Sequence, residues 1–155
     1  MTSPAAQEVR VRSAAEPDAL RLAELLTQLG YPVAADEVRE RLGYWLPDAM
    51  SRVLVAERDG VVVGCASVHA NPYFERTGRG LRIDSLVVDA AERGTGIGRA
   101  LLAAADRMAG DWGCIAVEVT SSRARPGAHA FYTRMGFRDV CEQSARFFRL
   151  LGAAD

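Results

Sequence analysis

Three glycines at the start of an amphipathic segment could hold a phosphate. Residues 87–102 read Val-Val-Asp-Ala-Ala-Glu-Arg-Gly-Thr-Gly-Ile-Gly-Arg-Ala-Leu-Leu, which is typical of a strand end, a tight loop and a helix. The glycines are Gly94, Gly96 and Gly98, which let the backbone turn sharply and let a ligand come close. A helix that begins here would present free N–H groups and its positive dipole end, which favour an anion. Arg93 and Arg99 add positive charge on both sides.

The glycine spacing distinguishes between the common types of phosphate-binding loop. A dinucleotide fingerprint needs glycine or alanine at its last position, where this chain has Arg99 or Leu101, depending on the starting glycine. A Walker-type nucleotide loop needs a lysine, and all 19 Lys+Arg residues of the chain are arginine. The pattern that remains is Arg93-x-x-Gly96-x-Gly98.

A second motif lies later in the chain, where residues 128–137 read Ala-His-Ala-Phe-Tyr-Thr-Arg-Met-Gly-Phe. Together the two motifs resemble those of the GNAT family of N-acetyltransferases. That family's loop reads Q/R-x-x-G-x-G/A, and its late helix and following strand read A-x-x-F-Y-x-x-x-G-F. The resemblance extends over residues 9–151 and includes the early hairpin from Val53 to Val68. It implies that the ligand of the glycine loop is acetyl-CoA.

The elements that must position these motifs are predicted from periodicity and from turn residues. Strands are predicted over 9–12, 52–58, 61–70, 81–88, 114–120, 137–142 and 145–150, and helices from Pro17 to Gly30 and over 36–42, 96–109 and 126–135. Asp59-Gly60 predicts a tight hairpin, 71–80 a polar loop, and the apolar run of 114–120 a central strand. The fold class is therefore α/β with a mixed sheet of about seven strands and about four helices. The resemblance implies the acyl-CoA N-acyltransferase fold, in which the parallel strands 81–88 and 114–120 splay apart.

The resemblance also implies a role for individual residues. The pantetheine arm would pair with backbone groups of Leu86, Val87 and Val88, and the Val88 N–H would stabilise the oxyanion. The pyrophosphate would rest beside Arg93 on the amides of Gly94, Thr95, Gly96, Ile97, Gly98 and Arg99. Tyr132 holds the family's tyrosine position, where it would contact the cosubstrate and protonate the leaving thiolate.

The general base is open between Asp84, Glu118 and a water chain or no base at all. A carboxylate in an apolar strand is costly unless it is partnered, so either residue could be functional or form a salt bridge with an arginine. Arg125 stands where relatives often have asparagine. It could contact a phosphate of CoA or be a solvated charge on the loop.

Composition limits the alternatives. Net charge is −1 over 155 residues, which gives no signal for nucleic acid or membrane surfaces. No apolar run is long enough to span a bilayer, and Met1–Gln7 lacks signal-peptide features. Cys65, Cys114 and Cys141 are interpreted as reduced and mostly buried, and His69 and His129 lack a second ligand at metal spacing. We therefore expect a cytoplasmic protein without a metal, with a tail over 1–8 and one domain over 9–155.

The function expected is acetyl-CoA-dependent N-acetylation of a primary amine by direct attack on the thioester. Two alternatives stay open: a catalytically silent module that binds acetyl-CoA, and an O-acyltransferase on the same scaffold. The acceptor would be chosen by segments 30–48 and 71–80, which contain Trp45, Tyr73 and Phe74. The sequence does not identify it, nor does it decide whether the acyl group is acetyl or another short chain. The resemblance makes a homodimer an expected assembly, for which 145–150 could supply an edge.

Overall fold

The computed structural model describes residues 8–152, which form two compact units that divide after Thr120. Most of the predicted tail, residues 1–7, and residues 153–155 lie outside the described part. In the first unit the strands are β1 (Arg10–Ser13), β2 (Ser51–Arg58), β3 (Val61–Pro72), β4 (Arg79–Val88) and β5 (Cys114–Val119). Its helices are α1 (Ala19–Leu29), α2 (Ala35–Trp45) and α3 (Ile97–Asp111), with short 3-10 turns at Glu16–Asp18 and Ala90–Glu92. The second unit contains α4 (Pro126–Arg134).

The strands of the first unit form one mixed sheet in the order β1-β2-β3-β4-β5. The first three pairings are antiparallel and β4 pairs with β5 in parallel, as the sequence predicts. The hairpin between β2 and β3 turns on Asp59 and Gly60, with φ of 51° and 77°. A two-residue turn with both φ positive matches the twist of antiparallel strands.

Alternation along the central strands gives each face of the sheet its own apolar core. Leu22, Leu25, Val38 and Leu42 of α1 and α2 pack with Val55, Cys65 and Val87. On the other face, Ile97, Leu101 and Ala104 of α3 pack with Leu54, Ala56, Val63 and Ala66. Both helical layers therefore hold β4 in place between them.

The parallel pair β4–β5 opens at one end. Their pairing stops at Ile83 opposite Val119, whereas β4 continues to Val88. The last residues of β4 thus have no strand beside them on that side within the described part of the chain. This open side of β4 is where the resemblance places the splay.

The two closing strands are a wrong prediction: residues 137–142 and 145–150 adopt no strand, so the described sheet has five strands. Asp139 Oδ1 accepts the N–H of Cys141 at 2.9 Å, and the N–H of Gln143 donates to Val140 O at 2.9 Å. These local bonds bend the backbone and compete with strand pairing. With those strands absent, β5 is an edge strand of the described sheet and not a central one, and Ile115 is exposed.

Smaller differences concern element ends and thiols. The expected loop 71–80 is shorter, because Asn71 and Pro72 pair with Gly80 and Arg79 and extend the β3–β4 hairpin. Cys65 is buried as expected, but Cys114 is half-buried and Cys141 is exposed. Within residues 8–152 no helix has the length and apolarity required to cross a membrane.

Candidate active site

The glycine loop runs from the end of β4 into α3. The Asp89 carboxylate accepts the N–H of Ala91 at 2.8 Å and starts a 3-10 turn. Gly96 then adopts φ of 90° immediately before α3 and brings no capping side chain. The N–H of Ala100 bonds to Gly96 O at 3.0 Å, which closes the first turn of the helix. By helix geometry the amides of residues 97–99 have no partner within α3, so they are free to bind an anion.

Arg58, at the end of β2, braces this loop. Its guanidinium pairs with Glu92 and lies 3.4 Å from Thr95 Oγ1 and 3.5 Å from Thr95 O. Thr95 Oγ1 in turn donates to Glu92 O at 2.6 Å. Arg58 is not among the predicted site residues, because its partners lie 34 and 37 positions away and no local pattern connects them.

Helix α1 holds the start of the same loop. Arg21 Nε donates to Val62 O at 2.7 Å, and its Nη2 pairs with Asp89. Gln28 accepts the N–H of Ala90 at 2.9 Å. The hydrogen bond from Arg21, followed by that from the Ala91 N–H, lowers the pKa of Asp89. The loop is thus fixed from two sides before any ligand binds.

The splay exposes alternate backbone groups of β4. The N–H of Asp89 donates to Val63 O at 2.8 Å, and the register pairs Val88 with Gly64 and Leu86 with Ala66. In an antiparallel ladder hydrogen-bonded and non-hydrogen-bonded pairs alternate. Leu86 and Val88 therefore direct their N–H and C=O away from β3, toward the side on which β5 has already ended.

Asp84 occupies a bulge in β4. Ser67 pairs with Ser85 and Val68 with Ile83, which leaves Asp84 as the extra residue. A bulge interrupts the regular alternation of side chains between the two faces of the sheet and so changes the direction in which a side chain points. Asp84 Oδ2 lies 3.3 Å from His69 Nε2, within ion-pair distance, although this buried nitrogen makes no hydrogen bond among the described residues.

Arg82 connects the two carboxylates that the sequence singles out. Its Nε lies 3.3 Å from Asp84 Oδ1, its Nη1 lies 2.8 Å from Glu118 Oε1, and its Nη2 donates to Thr120 Oγ1 at 2.8 Å. The Glu118 side chain is 65% exposed, against 36% for Asp84. The sequence left open whether either carboxylate forms a salt bridge with an arginine, and in the structure both do so with Arg82.

A cleft of about 560 Å³ opens beside Asp84. It is lined by Leu26, Leu29, Gly30, Tyr31, Pro32, Arg41, Asp84 and Ser85. Segment 30–48, expected to choose the acceptor, thus contributes to the cleft, whereas the three expected aromatics do not line it. Trp45 packs edge-on against His69 with centroids 6.1 Å apart, Tyr73 stacks under Arg76, and Phe74 is fully exposed.

Tyr132 belongs to the second unit and lies on α4. It is 9% exposed, and its ring packs edge-on against Phe131 and Phe137, with centroids 5.4 and 5.6 Å away. Burial raises the pKa of Tyr132, although the charge of Arg125 opposes the shift. The phenol therefore keeps its proton at neutral pH. Arg125 itself precedes the first turn of α4, and its backbone O accepts the N–H of His129 at 3.2 Å.

Comparison with known proteins decides the family. The model of the acetyltransferase (GNAT) family matches residues 19–137. The chain belongs to this family. Proteins of this GNAT family use acetyl-CoA as the acyl donor.

Individual GNAT relatives support the assignment. A glucosamine 6-phosphate N-acetyltransferase from Trypanosoma brucei brucei is 33% identical over 103 residues, which cover 66% of this chain and 65% of the relative, slightly less than two thirds of its length. A solved acetyltransferase from Trypanosoma brucei is 28% identical with a TM-score of 0.74, covering 92% of this chain and 99% of that one. An aminoglycoside N-acetyltransferase solved with CoA shares the fold at 17% identity and a TM-score of 0.81, covering 99% and 100% of the two chains.

Within the first unit, the GNAT fold brings the predicted residues into two adjacent groups: one for the cosubstrate, along the end of β4 and the glycine loop, and one at the cleft. The backbone of 86–88 leads directly into the loop of residues 93–99, and Asp84 faces the cleft two residues earlier in the same strand. Glu118 does not line the cleft. The described residues contain no group of His, Cys, Asp and Glu that could hold a metal ion.

Proposed function

We propose that this protein is an acetyl-CoA-dependent N-acetyltransferase that acetylates a primary amine. The observation that carries the proposal is the continuity of β4 with the glycine loop. Unpaired backbone groups at Leu86 and Val88 lead into the free amides at the start of α3. One stretch of chain thus offers pairing groups for an amide-rich arm and, at its end, an anion site for a pyrophosphate.

The loop has room for such a ligand. A Cβ built on Gly94 or Gly96 would meet no other atom within 4 Å, so the backbone at these positions is open to a ligand. Arg93 and Arg99 are exposed on either side, where their charge would attract phosphate oxygens. Leu86 to Val88 would hold the pantetheine arm, and the amides of residues 94–99 would hold the pyrophosphate. The bound cosubstrate supplies an activated thioester carbonyl.

Residues of β4 then have separate tasks. The Val88 N–H, directed into the splay, would donate to the oxygen that gains charge when an amine attacks the thioester. Asp84 faces the cleft from its bulge and would accept the proton that the amine must lose. We assign this role to Asp84 rather than to Glu118, because Glu118 is more exposed and does not line the cleft.

Tyr132 is proposed as the acid that protonates the departing thiolate. Two observations support this role: its place in the motif of residues 128–137 and its raised pKa. A phenol with a raised pKa is fully protonated at neutral pH and can give its proton to a thiolate of comparable basicity.

Glucosamine 6-phosphate is the first acceptor to test. The Trypanosoma relative bears that substrate in its name, and a cleft of about 560 Å³ can admit a ligand of this size. The acceptor is otherwise proposed only as a primary amine.

Calorimetric titration with acetyl-CoA tests the proposal. The Arg93→Ala/Gly96→Glu variant removes one positive charge and fills the loop. Its matched control is Arg107→Ala/Gly110→Glu, which makes the same charge changes further along α3, where Arg107 is exposed and Gly110 has open space. We expect micromolar binding by the wild type and the control, and none by the loop variant. Absence of binding by the wild type would refute the proposal.

An acceptor screen then separates the alternatives. Acetylation of amines but not of matched alcohols supports the N-acetyltransferase. Turnover with alcohols identifies an O-acyltransferase, and binding of acetyl-CoA without turnover of any acceptor identifies a silent module.

A further inference from the structure

We propose that Arg41 binds an anionic group of the acceptor, so that the substrate carries an anion as well as the reacting amine. This inference rests on the proposed function and narrows its substrate class. The cleft beside β4 has apolar walls from Leu26, Leu29 and Pro32, and its two charged residues are Asp84 and Arg41. Charges of opposite sign in one cleft match a molecule that carries both an ammonium and an anion.

Arg41 has no partner among residues 8–152, in contrast to three arginines near the loop and β4. Arg21, Arg58 and Arg82 each pair with a carboxylate of the first unit. On the same helix as Arg41, Arg39 pairs with Asp36. Arg41 forms neither an ion pair nor a side-chain hydrogen bond within residues 8–152. Its five N–H donors are therefore available to a ligand.

The position of Arg41 on α2 is fixed by packing. Val38 and Leu42, on either side of it along the helix, are buried in the apolar core. These anchors hold the α2 backbone while the Arg41 side chain remains exposed and lines the cleft. A small acceptor in the cleft would therefore lie within reach of the Arg41 guanidinium.

The chemistry of the two charges assigns the two ends of the acceptor. The guanidinium fork matches the oxygens of a phosphate monoester or a carboxylate, which it binds through paired N–H donors. Asp84 attracts the ammonium end and lies four residues before Val88, the proposed oxyanion donor. Binding the anion at Arg41 would leave the amine free to approach the splay.

Paired acceptors test this inference. The assay compares kcat/KM for glucosamine 6-phosphate with that for glucosamine, and kcat/KM for β-alanine with that for ethylamine. Each pair differs in one anionic group. The variants are Arg41→Ala, Arg41→Lys and the control Arg39→Ala, which removes an equal charge from the same helix.

We expect Arg41→Ala to reduce the preference for the anionic member of one pair about 10- to 100-fold, the range for losing charge-assisted hydrogen bonds. Arg41→Lys would retain part of the preference, and Arg39→Ala would retain all of it. The affected pair shows whether the anion is a phosphate or a carboxylate. An unchanged preference in Arg41→Ala, or a wild type without preference, would overturn the inference while leaving N-acetylation intact.

A titration with inorganic phosphate needs no turnover and keeps the inference testable if every acceptor fails. It uses the Arg93→Ala/Gly96→Glu background, so that the glycine loop does not compete. Phosphate binding that Arg41→Ala abolishes supports the anion site even if the proposed function fails. Equal phosphate binding with and without Arg41 contradicts it, as does the absence of binding of both phosphate and acetate, which is the probe for a carboxylate.

Discussion

Substitution of Gly96 by alanine tests whether the left-handed residue before α3 forms the anion site. Gly96 has φ of 90°, and a Cβ at this position would meet no atom within 4 Å. The substitution therefore lowers the free energy of unfolding through backbone strain and not through a steric clash. The left-handed region costs a residue with a Cβ about 1–2 kcal/mol, and alanine regains about 0.4–1 kcal/mol by restricting the unfolded chain. We expect Gly96→Ala to lower the free energy of unfolding by about 1 kcal/mol.

Gly110 provides the matched control on the same helix. A Cβ at Gly110 also meets no atom within 4 Å, but its φ is not in the positive range. Gly110→Ala should therefore raise stability by about 0.5–1 kcal/mol. For a chain of this size 1 kcal/mol corresponds to about 2–4 °C in Tm, so the two variants should differ by about 5 °C in thermal unfolding.

Binding completes this test. An alanine at position 96 would relieve its strain by shifting the backbone, which would turn the free amides of residues 97–99 away from their anion-binding orientation. We therefore expect acetyl-CoA to bind Gly96→Ala about tenfold more weakly, equivalent to about 1.4 kcal/mol. Gly110→Ala should bind as the wild type does. If both variants shift Tm equally and in the same direction, or if Gly96→Ala binds acetyl-CoA normally, the reasoning from the backbone conformation is refuted.

Four further predictions concern single side chains. Tyr132→Phe should lower kcat about 10- to 100-fold with similar CoA affinity, less than the usual acid–base effect because water can substitute; unchanged turnover would remove Tyr132 from the mechanism. Asp84→Asn should lower kcat about 100- to 10,000-fold with similar CoA affinity, the range for loss of a general base, and unchanged turnover would exclude Asp84 as the base. Asp18, whose pKa is lowered by its hydrogen bond from Arg12, contributes stability that is present above its unfolded pKa and lost as pH falls through the folded one. Asp18→Asn should thus cost about 2 kcal/mol in urea unfolding at pH 7 and progressively less below about pH 4; an equal cost at pH 7 and pH 3 would contradict this. Burial raises the pKa of Cys65 to about 12, so a thiol reagent at pH 8 should label exposed Cys141 in the native protein and Cys65 only after unfolding, as peptide mass analysis would show.

Local patterns determined most of the elements that position the site. The glycine loop, the amphipathic residues of α3 and the Asp59-Gly60 turn depend on neighbours along the chain, so their residue types are sufficient to predict them. The order of hairpin and crossover predicted the mixed sheet for the same reason. The prediction of the two closing strands was wrong because a strand forms only with a pairing partner, which local residue types do not specify. The hydrogen bond that the Asp139 side chain accepts from the Cys141 N–H favours a turn instead.

The tertiary structure alone decided which charged side chains form ion pairs. Arg58 braces the glycine loop and Arg21 holds Asp89 through residues far apart in sequence, and Arg82 joins its near neighbour Asp84 to the distant Glu118. The sequence contains the arginines but not their distances, because electrostatic pairing depends on through-space separation. The bulge that turns Asp84 toward the cleft arises likewise from the register of β3 against β4, which no local pattern encodes. The sequence by itself therefore determined the fold class and the loop chemistry, and packing decided which side chains complete the site.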